Sequence, residues 1–302
     1  MRVFVTGATG FIGSAIVREL IDAGHEVVGL ARSDRAAAAV KAAGADAHRG
    51  ALDDLDSLRS GAAAADGVIH TAYIHDFSQM ERAVRTDLHA VETLGAALEG
   101  SGRPLVITTG TALIKPGQVA TEEDSAPPDA HSRLRAERTA LALAERGVRT
   151  SIIRPGASAH GEGDHAFVPV LIDIARTKRV SAYIGNGANR WPAVHRLDAA
   201  RLYRLALERA PAGLVFHAVA DEAVPTREIA EVIARHLDVP AVSIAPEDAA
   251  EHFGWIGAFF AIDAPASSRL TQERLGWQPT HPGLIADLEA GHYFSQTQRA
   301  AA

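Results

Sequence analysis

Residues 1–13 read Met1-Arg2-Val3-Phe4-Val5-Thr6-Gly7-Ala8-Thr9-Gly10-Phe11-Ile12-Gly13, and their order decides the fold. Val3, Phe4 and Val5 form a short apolar run of the kind that makes a buried strand. Gly7, Gly10 and Gly13 follow at once, and Ile12, Ile16 and Leu20 then recur at helical spacing. The three glycines serve a tight turn, close backbone approach to a diphosphate, and close packing of helix on strand. The start of a helix also offers unpaired N–H groups and the positive end of its dipole, which together favour phosphate. Strand, turn and helix in this order predict a dinucleotide site built from Gly7, Thr9, Gly10, Phe11, Ile12 and Gly13.

Working outward, the first helix is expected to run to Ala23, with Gly24 as its stop. Glu26–Ala31 reads as the second strand, with Arg32 and Ser33 at its end. An acid there would bond a ribose 2′-hydroxyl, whereas an arginine accommodates a 2′-phosphate. The fork of Arg32, the hydroxyl of Ser33 and the nearby charge of Arg35 favour NADP(H) over NAD(H). Helices follow at 35–43, 55–63, 77–98 and 132–145, alternating with strands at 44–49, 67–72, 105–109 and 150–154. That rhythm predicts an α/β, Rossmann-type, doubly wound parallel sheet over residues 1–155. After Pro155 the alternation breaks. Helices at 199–207 and 226–237, the second capped by Thr226, belong to a smaller substrate lobe over residues 156–302. A strand at 214–219 returns to the main sheet, so the two parts interleave.

The bulk composition narrows the function. A chain of 302 residues buries a large core, and 47% hydrophobic with 22% charged residues is ordinary for a soluble protein. A net charge of −7 argues against a nucleic-acid partner. The absence of cysteine excludes disulfides, thiolate metal sites and a cysteine nucleophile. No basic-then-apolar leader and no membrane-length apolar run is visible, so a cytoplasmic enzyme acting on a small molecule is expected.

Five stretches in order, TGATGFIG (6–13), VIHTA (68–72), VITTGT (106–111), RPG (154–156) and LGWQP (275–279), resemble the extended short-chain dehydrogenase/reductase family. The segment 192–198, with His195 and Asp198, is similar to the family's His-Val-Asp-Asp helix opening. The resemblance spans nearly the whole chain. It implies a nicotinamide cofactor lined by Thr71, Ala72, Tyr73 and Thr108, with Pro155 and Gly156 placing the ring. It also implies a homodimer through helices 77–98 and 132–145. Family chemistry normally rests on Tyr-x-x-x-Lys and an upstream serine. Alignment on Ala136-Glu137 instead puts His131 and Arg135 at the tyrosine and lysine positions, and leaves only threonines where serine is usual. Asp87 stands where asparagine is common, and Ala51 where an aspartate lies near the adenine, with Leu52 beside it counted among the cofactor contacts. The chain therefore resembles the atypical members that lack the usual pair.

Candidate chemistry follows from what remains. His131 is a general acid by its ordinary titration range or, equally, a helix-start residue without chemistry. Arg135 can hold ribose hydroxyls but cannot relay protons. Thr109 and Thr111 are candidates for orienting a substrate oxygen, against the alternative that they bond their own backbone. Tyr73 or His75 is an alternative proton donor from the opposite wall, against the alternative that Tyr73 packs on the cofactor and Asp76 caps a helix. His75, His160, His165, Arg190 and Trp191 are read as substrate contacts, with an ion pair to a nearby acid as the alternative for Arg190, and the histidine-rich 159–165 segment is not read as a metal site. The aromatic run at 251–260 is either small-lobe core or an apolar pocket. Two functions stand: an NADPH-dependent oxidoreductase reducing a carbonyl or similar polarised double bond, and a non-catalytic NADP(H) sensor. An epimerase or dehydratase is the third option.

Overall fold

A computed structural model describes residues 1–75, 79–125 and 133–295. The glycine-rich start folds as β1 (Arg2–Thr6) and α1 (Phe11–Asp22), and Gly24 at φ +82° ends the helix as expected. Next come β2 (Glu26–Ala31), α2 (Asp34–Ala42), β3 (Asp46–Arg49), α3 (Leu55–Ala63) and β4 (Gly67–His70). The strand expected at 67–72 stops at His70, because the amide and hydroxyl of Thr71 both turn back to the Thr6 carbonyl. Then follow α4 (Met80–Leu98), β5 (Pro104–Thr108), α5 (Arg133–Ala142) and β6 (Arg149–Pro155). The starts expected for the two longer helices, Phe77 and Ser132, lie outside the described residues, as do Asp76 and His131.

The second half supplies β7 (Ser158–His160), α6 (Phe167–Lys178), β8 (Ser181–Ile184), β9 (Arg190–His195), α7 (Arg196–Arg209) and β10 (Leu214–Ala218). It continues with β11 (Asp221–Pro225), α8 (Thr226–Leu237), β12 (Ala241–Ile244), α9 (Ala249–Phe253), α10 (Gly257–Phe260), α11 (Arg269–Leu275) and α12 (Leu284–Glu289). Pro225, not Thr226, occupies the cap of α8; the Thr226 hydroxyl instead donates to Asn189 Oδ1 at 2.6 Å.

Among the described residues the main sheet has seven parallel strands in the order β10-β6-β5-β4-β1-β2-β3. The strand returning from the second half is β10, which pairs with β6. Alternation along β1 divides the core: Val3 and Val5 pack with α1 and α7, while Phe4 packs with α3, α4 and α5. The strand order reverses direction between β1 and β4, so a crevice opens at the carboxyl ends of those two strands. A third core, around Trp191, Ile229, Phe253 and Phe260, belongs to the smaller lobe. Its three-stranded sheet β11-β9-β7 crosses the end of β6, and a side chain on Gly156 would meet the Pro192 carbonyl at 2.6 Å. No helix among the described residues is long and apolar enough to cross a membrane.

Candidate active site at the carboxyl ends of the sheet

The glycine turn is closed underneath and open above. Gly7 sits at φ +72°, and the Gly10 amide donates to its carbonyl at 2.9 Å. A Cβ on Gly13 would lie 1.9 Å from the Gly7 carbonyl oxygen, so only glycine lets α1 pack this tightly on β1. Thr9 and Gly10 face solvent, with Phe11 and Ile12 half-buried beside them. Beneath the turn runs a buried chain. Thr6 Oγ1 lies 2.8 Å from His70 Nδ1, and His70 Nε2 lies 3.1 Å from Asp87 Oδ1. As a carboxylate Asp87 can only accept, so His70 Nε2 donates to it. Of these three residues sequence reasoning noted only Asp87, as a departure; its signal was an acid on the buried stripe of a long helix.

At the end of β2, Arg32 and Arg35 are exposed, and Ser33 caps α2 by accepting from the Ala36 amide at 3.1 Å. The neighbouring acid, Asp34, pairs with Arg49 at 3.2 Å. Leu52 is half-buried against the α3 side of the sheet.

The threonines at the end of β5 are bonded. Thr108 Oγ1 donates to the His70 carbonyl at 2.9 Å and lies 2.7 Å from the Tyr203 hydroxyl. Thr109, expected to orient substrate, donates at 2.8 Å to Glu137, which is in turn paired with Arg154 inside the protein. Thr111, the other candidate, donates to the Pro155 carbonyl at 3.3 Å. Arg154 also donates to the Asp124 carbonyl at 2.9 Å and reaches His217 Nε2 at 3.4 Å. Because a guanidinium only donates, His217 Nε2 must accept, and its Nδ1–H points at the Ser267 carbonyl. Burial, aided by the Arg154 charge, pushes His217 down to about 4. Arg135 is exposed on α5. Across the crevice, half-buried Thr71, Ala72 and Tyr73 follow β4; the Tyr73 hydroxyl lies 3.8 Å from Met80 Sδ, and its ring meets exposed His75 edge-on at 5.2 Å.

Three residues expected to touch substrate lie elsewhere. His160 has no exposed surface; its Nδ1 pairs with Asp287 at 2.9 Å, and Asp287 also takes His292 Nε2 at 3.0 Å. Arg190 has its Nε and Nη2 engaged by Asp263 at 2.9 and 2.7 Å, the ion-pair alternative to an anion contact. Trp191 is fully buried between Phe259 and Phe260 and forms core, not cleft wall. His195 is stacked on His281 at 4.6 Å and caps α7 through Nδ1; burial, then its neighbours His160 and His281, push it down to about 4. On the open side, exposed His165 meets the ring of Phe11 edge-on at 5.9 Å. Arg196, which sequence reasoning did not single out, holds its guanidinium 5.1 Å from the same ring. Behind them Phe167 stacks on Phe259 at 4.4 Å, with Trp255 at 6.1 Å and 53% exposed.

Residues 3–219 match the model of the NAD dependent epimerase/dehydratase family. Over 295 residues, 97% of this chain and 100% of the relative, the sequence is 52% identical to an uncharacterized protein of Schizosaccharomyces pombe. It is 30% identical over 230 residues, 72% of this chain and 67% of the relative, to the 4-hydroxy-2-methyl-3-oxo-4-farnesyl-3,4-dihydroquinoline-1-oxide ketoreductase of Stigmatella aurantiaca. Among solved structures, a dTDP-glucose 4,6-dehydratase of Streptomyces venezuelae with NAD and TYD bound is similar in fold. The match has a TM-score of 0.80 and 20% identity, over 99% of this chain and 98% of that one.

Proposed function

The chain belongs to the NAD dependent epimerase/dehydratase family, and on that premise we propose that it is an NADP(H)-dependent oxidoreductase reducing a carbonyl or similarly polarised double bond of a small, partly apolar molecule. The observation that carries the reading is the glycine turn, closed by Gly13 and open at Gly10, at the crevice between β1 and β4. A nicotinamide dinucleotide bound there supplies the hydride. Arg32, with Asp34 drawn off to Arg49, favours a 2′-phosphate. Tyr73, half-buried where the chain leaves β4 on the wall opposite β5, is the side chain that delivers the proton to the developing alkoxide in this reading. Stacked Phe167 and Phe259 with exposed Trp255 give the substrate side an apolar wall, and the ketoreductase relative supports carbonyl chemistry.

A second reading, a non-catalytic NADP(H) sensor, draws on the same engaged threonines and on the exposure of Arg135. The deciding experiment follows NADPH oxidation against aldehydes, ketones, quinones and imines at the reduced-nicotinamide absorbance, beside NADPH and NADH titrations. Turnover is expected, falling about 100-fold or more in Tyr73→Phe. Arg32→Ala is expected to weaken NADPH binding about tenfold and leave NADH unchanged. Tight NADPH binding without turnover across the panel favours the sensor.

A further inference from the structure

We propose that Arg196 is a ligand of the dinucleotide's diphosphate, a cation carried by the second half of the chain to the phosphate turn of the first. The proposal rests on the reading that this turn takes a nicotinamide dinucleotide.

Helices α1 and α7 pack side by side and both begin at the carboxyl edge of the sheet. Helix α1 leaves β1 there. Helix α7 ends at the opposite edge, where Arg149, at the start of β6, donates to the carbonyls of Leu207 and Ala210 at 2.7 and 3.0 Å. Two helix N-termini therefore face the same space. That of α1 has no side-chain cap and no acid in its first turn, so none of its side chains serves its free amides.

Arg196 is the first residue of α7 and holds its guanidinium over Phe11, the first residue of α1. The loop after β7 covers it from the other side: a Cβ on Gly163 would lie 3.7 Å from Arg196 Nη1, and one on Gly161 3.4 Å from its Cγ. The side chain is thus held in place before any ligand arrives.

Nothing among the described residues neutralises it. Arg154, Arg190 and Arg204 each have a carboxylate partner, whereas Arg196 makes no ion pair. The buried acids nearest in sequence are engaged elsewhere: Asp164 with the Ala166 amide and Tyr293, and Asp198 with Thr280 and His281. Glu162 is exposed and unpaired with it. A cation in the first turn of a helix also opposes the helix dipole. Among the described residues no acceptor takes the Arg196 N–H groups, and two adjacent phosphates match that fork.

The test titrates NADPH and NADH into wild type, Arg196→Gln, Arg196→Lys and a surface control, Arg209→Gln, by calorimetry at two salt concentrations. Adenosine, which lacks the diphosphate, is titrated by competition. Arg196→Gln is expected to bind the preferred dinucleotide about 10- to 100-fold more weakly, with a flatter salt dependence and unchanged adenosine affinity. Arg196→Lys should fall between, and Arg209→Gln should match wild type. Unchanged dinucleotide affinity in Arg196→Gln, or an equal loss for adenosine, overturns this proposal while the cofactor reading stands. Wild type that binds neither dinucleotide overturns both.

Discussion

At the scale of single residues, the chemistry hidden beneath the crevice is as ordered as the crevice itself. Arg154 is buried with Glu137 as its counter-ion and also donates to the Asp124 carbonyl and His217 Nε2, while Thr109 donates to the Glu137 carboxylate. Removing one partner from such a pair leaves a bare buried charge, which is why this network is a fixed part of the fold. His217 gives it a pH signature. Its folded pKa, about 4, lies below its ordinary value of 6.5, so the unfolded chain takes up a proton first as the solution is acidified. The contribution of His217 is therefore full above pH ~6.5 and is lost as pH falls from there through ~4, amounting to about 3 kcal/mol. Asp164, raised by burial to about 6, acts in the opposite sense: its contribution is present at low pH and fades as pH rises from its unfolded value towards 6. Urea denaturation of wild type and His217→Asn between pH 7 and 4 separates the two. The variant is expected to be less stable at pH 7, with the gap closing towards pH 4; a gap independent of pH would show that His217 is not held neutral by the fold.

At the scale of elements, the aromatic run at 251–260 serves two purposes at once. Within α9, α10 and the turn between them, Phe253, Ile256 and Phe260 pack into the small-lobe core, while Trp255 is exposed and Phe259 half-buried against Phe167. Short helices joined by a turn give no continuous period, so sequence could offer core or pocket but could not split the segment between them. Phe260→Ala is expected to cost about 3–5 kcal/mol in thermal or urea unfolding. Trp255→Ala should cost less than about 1 kcal/mol yet raise KM for an apolar carbonyl substrate several-fold, with kcat little changed. A stability loss in Trp255→Ala equal to that of Phe260→Ala would assign the whole run to the core.

At the scale of the whole molecule, the crevice is roofed by strands and loops that come from the other half of the chain. Strand β9 crosses Gly156, α7 lies on α1, and Asp198 fastens the 277–281 segment through the Thr280 and His281 amides and His281 Nδ1. A dinucleotide held as proposed, by the glycine turn and Arg196, would stabilise both halves as one. At about 100 times its dissociation constant NADPH is expected to add about 2.7 kcal/mol, seen as a Tm rise of several degrees. NADH at the same concentration should give a smaller rise, and an equal rise from both would argue against a 2′-phosphate preference set by Arg32.

The sequence by itself determined the α/β sheet, the glycine turn and nearly every element of the first half. Those features are local: a glycine pattern, a strand's apolar run and a helix's period each lie within about a dozen residues, and local sterics decide them. It also marked the return of a strand at 214–219 to the main sheet, where the strand spans Leu214–Ala218. Tertiary structure alone decided which polar side chains face the crevice. Arg190 and His160 look like free binding groups in sequence, but their partners Asp263 and Asp287 are 73 and 127 residues away. Trp191 looks like a cleft wall until Phe259 and Phe260 enclose it. Arg196, unremarked in sequence, stands over Phe11 because α7 folds back onto α1. A charge or a ring becomes a site or a core member according to what long-range packing sets against it, and that pairing is written in no single stretch of the chain.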